Sequence, residues 1–218
     1  MRAPARAVLA ARLRCYLVTD GGDEAGAVTR LEELSVAALA GGVTTVQLRA
    51  KGWNDRQLLA AALALRARCD AAGALLLVND RVDIALAAGA DGVHLGVDDL
   101  PVAVARRLLG PDAIIGYSPA TDADRLDAER DGADYLGVGP VYLTSNKPDA
   151  GAAIGLDGLA RVVRATTLPV VGIGGITLER AADVLLSGAA GVAVVGAIWH
   201  APDPRAAAER LVHALARR

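Results

Sequence analysis

The sequence predicts a (β/α)8 TIM barrel in a single domain. Eight short β-rich runs alternate with longer Ala/Leu/Arg segments of helical period. The chain has 218 residues, and such barrels begin at roughly 200 residues. The first strand is followed by Thr19-Asp20-Gly21-Gly22. An open, doubly wound sheet, the alternative architecture, would usually carry a G-x-G-x-x-G turn there.

Residues 1–13 form either an extra N-terminal helix or a tail ahead of the barrel, with the whole of 1–218 as one domain. Strands are expected at Cys15–Thr19, Thr45–Arg49, Leu75–Asn79, Gly92–Leu95, Ile114–Tyr117, Tyr135–Val138, Val170–Ile173 and Val192–Val195. Each is rich in Val, Ile, Leu, Thr or Tyr, as a buried parallel strand requires. Helices are expected near 28–40, 55–71, 81–88, 100–108, 122–131, 157–166, 178–187 and 204–216. Asn54 with Gln57 predicts a capping box, and Thr177 predicts the cap of the seventh of these helices. Gly-Ala or Ala-Gly pairs before strands (Ala40-Gly41, Ala88-Gly89, Gly132-Ala133, Gly188-Ala189) read as helix C-terminal turns. The longest irregular stretch is Gly139–Gly155, and a loop of that size in a barrel points to function.

A net charge of −2 advertises no nucleic-acid surface. No apolar run reaches membrane-spanning length. Arg6, Arg12 and Arg14 interrupt the N-terminal segment, unlike the apolar core of a signal peptide. Cys15 and Cys69 lack C-x-x-C spacing and read as buried thiols of a cytoplasmic protein. The sequence is compatible with a homo-oligomer and sets no stoichiometry. Of 23 basic residues 21 are Arg, so the two lysines, Lys51 and Lys147, draw attention as compact point charges.

Chemistry in this fold gathers where the strands end. Strand 2 runs out through Gln47, Arg49 and Lys51, which alternation places on one side. An amide and two cations at a barrel mouth call for an anion such as a diphosphate; otherwise they form a surface cluster with Asp55 or neighbouring acids. Strands 3 and 4 deliver Asn79-Asp80 and Asp98-Asp99. Taken singly, each acid reads as a helix cap. Arriving together beside Lys51, the acids of these two exits suit Mg²⁺, a hard cation usually held by one or two carboxylates and substrate phosphates. His94, inside strand 4, reads as a hydrogen-bonded core residue. Ser118, after strand 5, either donates to a phosphate or caps a turn. Thr144, Ser145, Asn146 and Lys147 read as a lid over an anion. Backbone amides after strands 7 and 8, which end Gly172–Ile176 and Val194–Ala197, read as a phosphate cup. Two anion pockets at one mouth suggest group transfer with diphosphate leaving.

These motifs, QLRAK (47–51), NDRVDIA (79–85), GVHLGVDDLP (92–101), GYS (116–118), GADYLGVGPVYLTSNK (132–147) and GIGGI (172–176), resemble the thiamine-phosphate synthase family over nearly the whole chain. The resemblance implies a transferase. It joins a pyrimidine-methyl diphosphate to a thiazole phosphate, giving thiamine phosphate and diphosphate through a dissociative, carbocation-like step. It implies Gln47, Arg49, Lys51 and Asn79 on the pyrimidine diphosphate, with Mg²⁺ on Asp80 and Asp99. Ser118 and Lys147 then contact the diphosphate. Thr144, Asn146 and the amides of Gly174, Val195 and Gly196 contact the thiazole phosphate. Lys51, Ser118 and Lys147 are its implied catalytic groups, and its partners are small-molecule substrates. This chain departs from the family pattern at Asn146 (usually Thr), Gly196 (usually Ser) and Val97 (commonly Gln). A thiazole tautomerase-like isomerase and a non-catalytic, phosphate-binding barrel are the competing readings.

Overall fold

The computed structural model describes residues 6–22, 26–144 and 151–216. The chain enters through α1 (Arg6–Arg12) and β1 (Cys15–Val18). There follow α2 (Ala27–Ala40), β2 (Thr45–Leu48), α3 (Asp55–Ala72), β3 (Leu75–Asn79), α4 (Val82–Ala88), β4 (Gly92–Leu95), α5 (Val102–Leu109) and β5 (Ile114–Tyr117). The second half comprises α6 (Asp122–Arg130), β6 (Tyr135–Val138), α7 (Gly155–Ala165), β7 (Val170–Ile173), α8 (Ala181–Leu186), β8 (Gly191–Val194), α9 (Gly196–Trp199) and α10 (Pro204–Ala216). The eight strands form a closed barrel in sequence order, every neighbouring pair parallel, with β8 returning to β1. The predicted (β/α)8 barrel is the observed fold.

Alternation along each strand divides the core in two. Leu17, Val46, Leu76, Val93, Ile115, Leu136, Val170 and Val192 point outward into the layer shared with the helices. Tyr16, Val18, Leu75, Leu77, Ile114, Tyr135, Val171 and Ala193 point inward and fill the barrel. Two further members of the inner cluster, Leu9 and Leu13, come from α1 and the turn after it. They close the N-terminal end, so the open end is the one where strands finish. Leu13 is fully buried, and Leu13→Ala should therefore cost about 2–5 kcal/mol. A urea titration should show that loss as a lower midpoint with an unchanged slope; an unmoved midpoint would mean α1 contributes no packing.

The same end carries the stabilising charges. The Asp91 carboxylate accepts from Leu76 N at 2.8 Å and from Arg66 at 2.7 Å. Asp134 repeats the arrangement with Ile115 N at 2.7 Å and Arg106 at 2.6 Å. Each acid spends its lone pairs on a strand amide and a guanidinium, which is structural work.

The Asn54–Gln57 capping box is present, with reciprocal bonds of 3.0 and 3.1 Å. Thr177 does not cap its helix. Its hydroxyl donates to Glu179 at 2.6 Å, and α8 starts only at Ala181, three residues later than expected. The short α9 was not foreseen, since four residues are too few to show a helical period.

Candidate active site at the barrel mouth

The side chains predicted along strand 2 climb from core to solvent. Gln47 is buried inside the barrel, Arg49 is half-buried at the rim, and Lys51 is exposed. Thr19 holds this segment to β1 beyond the last ladder residue. Its N–H donates to Gln47 O at 3.0 Å. Its hydroxyl donates to Arg49 O and accepts from Arg49 N, both at 2.9 Å. The guanidinium of Arg49 lies 3.9 Å from the Asp20 carboxylate.

Asp80 and Asp99 meet at the exits of β3 and β4. The Asp80 amide donates to His94 O at 2.9 Å, extending the ladder by one residue. The backbone then turns sharply, with Asp80 at φ 61°. That left-handed conformation is unusual for a residue with a Cβ, although Asp tolerates it better than most. Strain of this kind marks functional sites. Asp99 comes from the turn after β4, where its carboxylate accepts from Gly96 N at 2.6 Å. Neither acid caps the following helix. The N-cap residues of α4 and α5 are Arg81 and Pro101, and neither helix has a side-chain cap. The capping explanation is thereby removed for both acids.

The two carboxyl groups lie within hydrogen-bonding reach of each other. Burial, then the bond to Asp99 and its charge, push Asp80 up from its ordinary value of 3.8 to about 6. Lys51 and Arg49 act in the opposite direction without cancelling it. A half-buried like-charge pair costs stability unless it shares a proton or a cation. Among the described residues no group of three or more His, Cys, Asp or Glu side chains converges to hold a metal. The donor set is the two carboxylates alone. It fits a hard divalent cation whose remaining ligands are phosphate and water.

Asn79 ends β3 beside this pair. Ser118, just past β5, is bound to its neighbour through Ser118 N donating to Leu95 O at 2.9 Å. Its hydroxyl lies 2.8 Å from His94 Nε2. His94 is thus hydrogen-bonded as expected, but its partners were not anticipated: its Nδ1 lies 2.8 Å from the hydroxyl of Tyr135. That hydroxyl is 2.8 Å from the hydroxyl of Tyr16, which accepts from Gln47 Nε2 at 2.6 Å. Tyr16 and Tyr135 were missed in the sequence. The available signal was a pair of glycines, Gly116 and Gly137. A Cβ at Gly116 would stand 2.1 Å from the Tyr135 ring, and one at Gly137 2.9 Å from His94.

Across the barrel, four strands away from β3 and β4, lie the exits of β7 and β8. Gly174 and Gly175 both have positive φ, 96° and 64°. The segment after β6 packs directly on them: Val141 N donates to Ile173 O at 2.8 Å and Tyr142 N to Gly174 O at 3.0 Å. Arg180 reaches back to Gly175 O at 3.0 Å, its guanidinium 4.6 Å from the centre of the Tyr142 ring. Val195 and Gly196 open α9 immediately after β8. Thr144, partly exposed, ends the described part of the loop; Asn146 and Lys147 lie outside the described residues. Val97 is exposed beside Asp98 and Asp99.

Two small cavities lie elsewhere. One, of about 180 Å³, is lined by Asp20, Arg30, Trp199 and His200. The other, of about 190 Å³, lies between α6 and α7 and includes Arg125 and Arg161. Neither is lined by Asp80 or Asp99, which stand at the open mouth.

A sequence model of the family described as thiamine monophosphate synthase matches residues 15–198. The chain is 51% identical over 198 residues to a thiamine-phosphate synthase of Chloroflexus aurantiacus, covering 91% of this chain and 90% of that protein. It is 51% identical over 179 residues to a thiamine-phosphate synthase of Moorella thermoacetica, covering 82% and 85% of the two chains. Among solved structures it is similar to a thiamine phosphate pyrophosphorylase from Pyrococcus furiosus. There the TM-score is 0.85 at 40% identity, over 95% of this chain and 97% of that one.

Proposed function

This chain belongs to the thiamine monophosphate synthase family, and on that premise we propose how its barrel mouth carries out the transfer. It is a transferase acting on small molecules, joining a pyrimidine-methyl diphosphate to a thiazole phosphate with release of diphosphate. The observation that carries the proposed geometry is the uncapped carboxyl pair of Asp80 and Asp99, held in contact near the charges of Lys51 and Arg49.

In this reading Gln47 and Asn79 orient the pyrimidine, while Arg49 and Lys51 face its diphosphate. Ser118 donates a hydrogen bond to the departing group, and the Lys147 ammonium is assigned to the same diphosphate. Asp80 and Asp99 would hold Mg²⁺, which would supply neutralisation of the diphosphate charge. Charge builds on that diphosphate as its bond to the pyrimidine methylene breaks. Cations and donors fixed around it lower the barrier because they need no rearrangement. Thr144, Asn146 and the amides of Gly174, Val195 and Gly196 grip the thiazole phosphate on the opposite side, which aims the thiazole nitrogen at the methylene. Replacing the hydroxyl of the usual Ser by Gly196 leaves a backbone amide there, and Asn146 still offers a donor.

The isomerase and non-catalytic readings have no observation in their favour. The cytoplasm remains the expected compartment. Cys15 and Cys69, both buried and unpaired, accord with it, and among the described residues no helix is long and apolar enough to cross a membrane.

The test is diphosphate release. It should require both substrates together with Mg²⁺ and should stop on chelation. No release at any metal concentration would sink the reading, and binding of both substrates without turnover would favour the non-catalytic barrel.

A further inference from the structure

The barrel interior contains an unbroken polar chain, Gln47–Tyr16–Tyr135–His94–Ser118, whose links measure 2.6, 2.8, 2.8 and 2.8 Å. Tyr16 and Tyr135 are 1% and 0% exposed, so water does not complete their bonding. A chain of hydroxyls and one neutral imidazole has only two directions in which every link is made, because each hydroxyl donates once and the ring carries one N–H. With Gln47 donating to Tyr16, Tyr16 must donate to Tyr135 and Tyr135 to His94 Nδ1. His94 then carries its proton on Nε2 and donates to Ser118. The Ser118 proton is left to point outward into the mouth. In the reverse direction Gln47 would turn its carbonyl to Tyr16, and Ser118 would donate inward to His94, presenting lone pairs to an anion.

We propose that Tyr16, Tyr135 and His94 are positioning residues that transmit the orientation of the Gln47 amide to Ser118, fixing its hydroxyl as a donor to diphosphate. This rests on the diphosphate reading of the mouth and deepens it. The amide of Gln47 has one face on Tyr16, and its oxygen makes no hydrogen bond among the described residues. A donor on the pyrimidine that engages this oxygen locks the amide with its nitrogen toward Tyr16, the direction that primes Ser118. The two ends of one substrate are thereby coupled through the protein interior. Gly116 and Gly137 are the space the chain needs, since a Cβ at either would strike Tyr135 or His94.

The experiment has two arms. In the first, inorganic diphosphate with Mg²⁺ is titrated calorimetrically into the wild type, Tyr135→Phe, Ser118→Ala and the double variant. Ser118→Ala should weaken binding about tenfold. Tyr135→Phe should weaken it about threefold or more in the wild-type background and not at all in the Ser118→Ala background. Equal losses in both backgrounds, or none in the wild type, would overturn the proposal. In the second arm, ¹⁵N NMR of His94 reads the tautomer without any ligand. The Nε2–H form is expected in the wild type, and Gln47→Glu, which can only accept from Tyr16, should switch it to Nδ1–H. An Nδ1–H or doubly protonated wild type, or a tautomer indifferent to Gln47→Glu, overturns the relay. Failure of the wild type to bind diphosphate overturns the reading of the mouth instead, and the NMR arm still decides the direction of the chain.

Discussion

Asp80→Asn is expected to make the metal-free protein more stable at pH 8 while cutting Mg²⁺-dependent turnover by about two to three orders of magnitude. The folded protein holds the Asp80 carboxyl well above its ordinary value of 3.8, at about 6, chiefly by burial and by the neighbouring Asp99. A carboxyl raised in this way stabilises the fold while it is protonated. That contribution is complete below about pH 4 and is lost as the pH climbs through 6. Asn keeps the shape and tolerates the left-handed backbone at φ 61°, but carries no charge to repel Asp99. The variant should therefore match the wild type near pH 4 and exceed it at pH 8, by on the order of 1–2 kcal/mol. Thermal melts at the two pH values measure this. Millimolar Mg²⁺ should reverse the order at pH 8, because only the wild type gains binding energy from the cation. A variant no more stable than the wild type at pH 8, or equally responsive to Mg²⁺, would sink the paired-carboxylate site.

The route to that site shows what a sequence can carry. Strand boundaries were legible because each strand is a short run of Val, Ile, Leu, Thr or Tyr buried on both faces and set off from the helical segments; β3 to β7 begin and end where expected. Asp80 and Asp99 were legible as candidates, since parallel neighbours must exit on one edge. The sequence could not decide between cap and ligand. That choice depends on where a carboxylate turns, and the left-handed Asp80 and the inward bond from Gly96 to Asp99 are properties of two tight turns. The interior relay was illegible for another reason. Tyr16 and Tyr135 sit in apolar strands as ordinary aromatic fillers. Their hydroxyls meet across the interior only because closure of the barrel brings β1 and β6 within three strands of each other. The displaced start of α8 has a simpler cause: Thr177 spends its hydroxyl as a donor to Glu179 instead of accepting from the helix amides.

Gly174→Ala should do the opposite of Asp80→Asn, raising KM for the thiazole phosphate about tenfold or more while leaving the affinity for Mg²⁺–diphosphate within about twofold of the wild type. Two constraints act on this position at once. Its φ of 96° is a conformation that a residue with a Cβ resists. A Cβ would also fall 2.6 Å from Cα of Pro140, a backbone atom that no rotamer change can move. Either the exit of β7 or the segment after β6 must shift, and the two are joined by Tyr142 N donating to Gly174 O. A shift of a few tenths of an ångström disturbs every amide aimed at one phosphate and the direction of Thr144 as well. The carboxyl pair, on strands directly opposite, is built from β3 and β4 and shares no hydrogen bond with this segment among the described residues. Separate perturbation of the two affinities would establish two anion pockets facing each other across one mouth, the arrangement that lets an incoming thiazole meet the methylene as diphosphate leaves it. If Gly174→Ala weakened diphosphate and thiazole phosphate alike, the mouth would hold a single anion site and the transfer geometry proposed for it would fail.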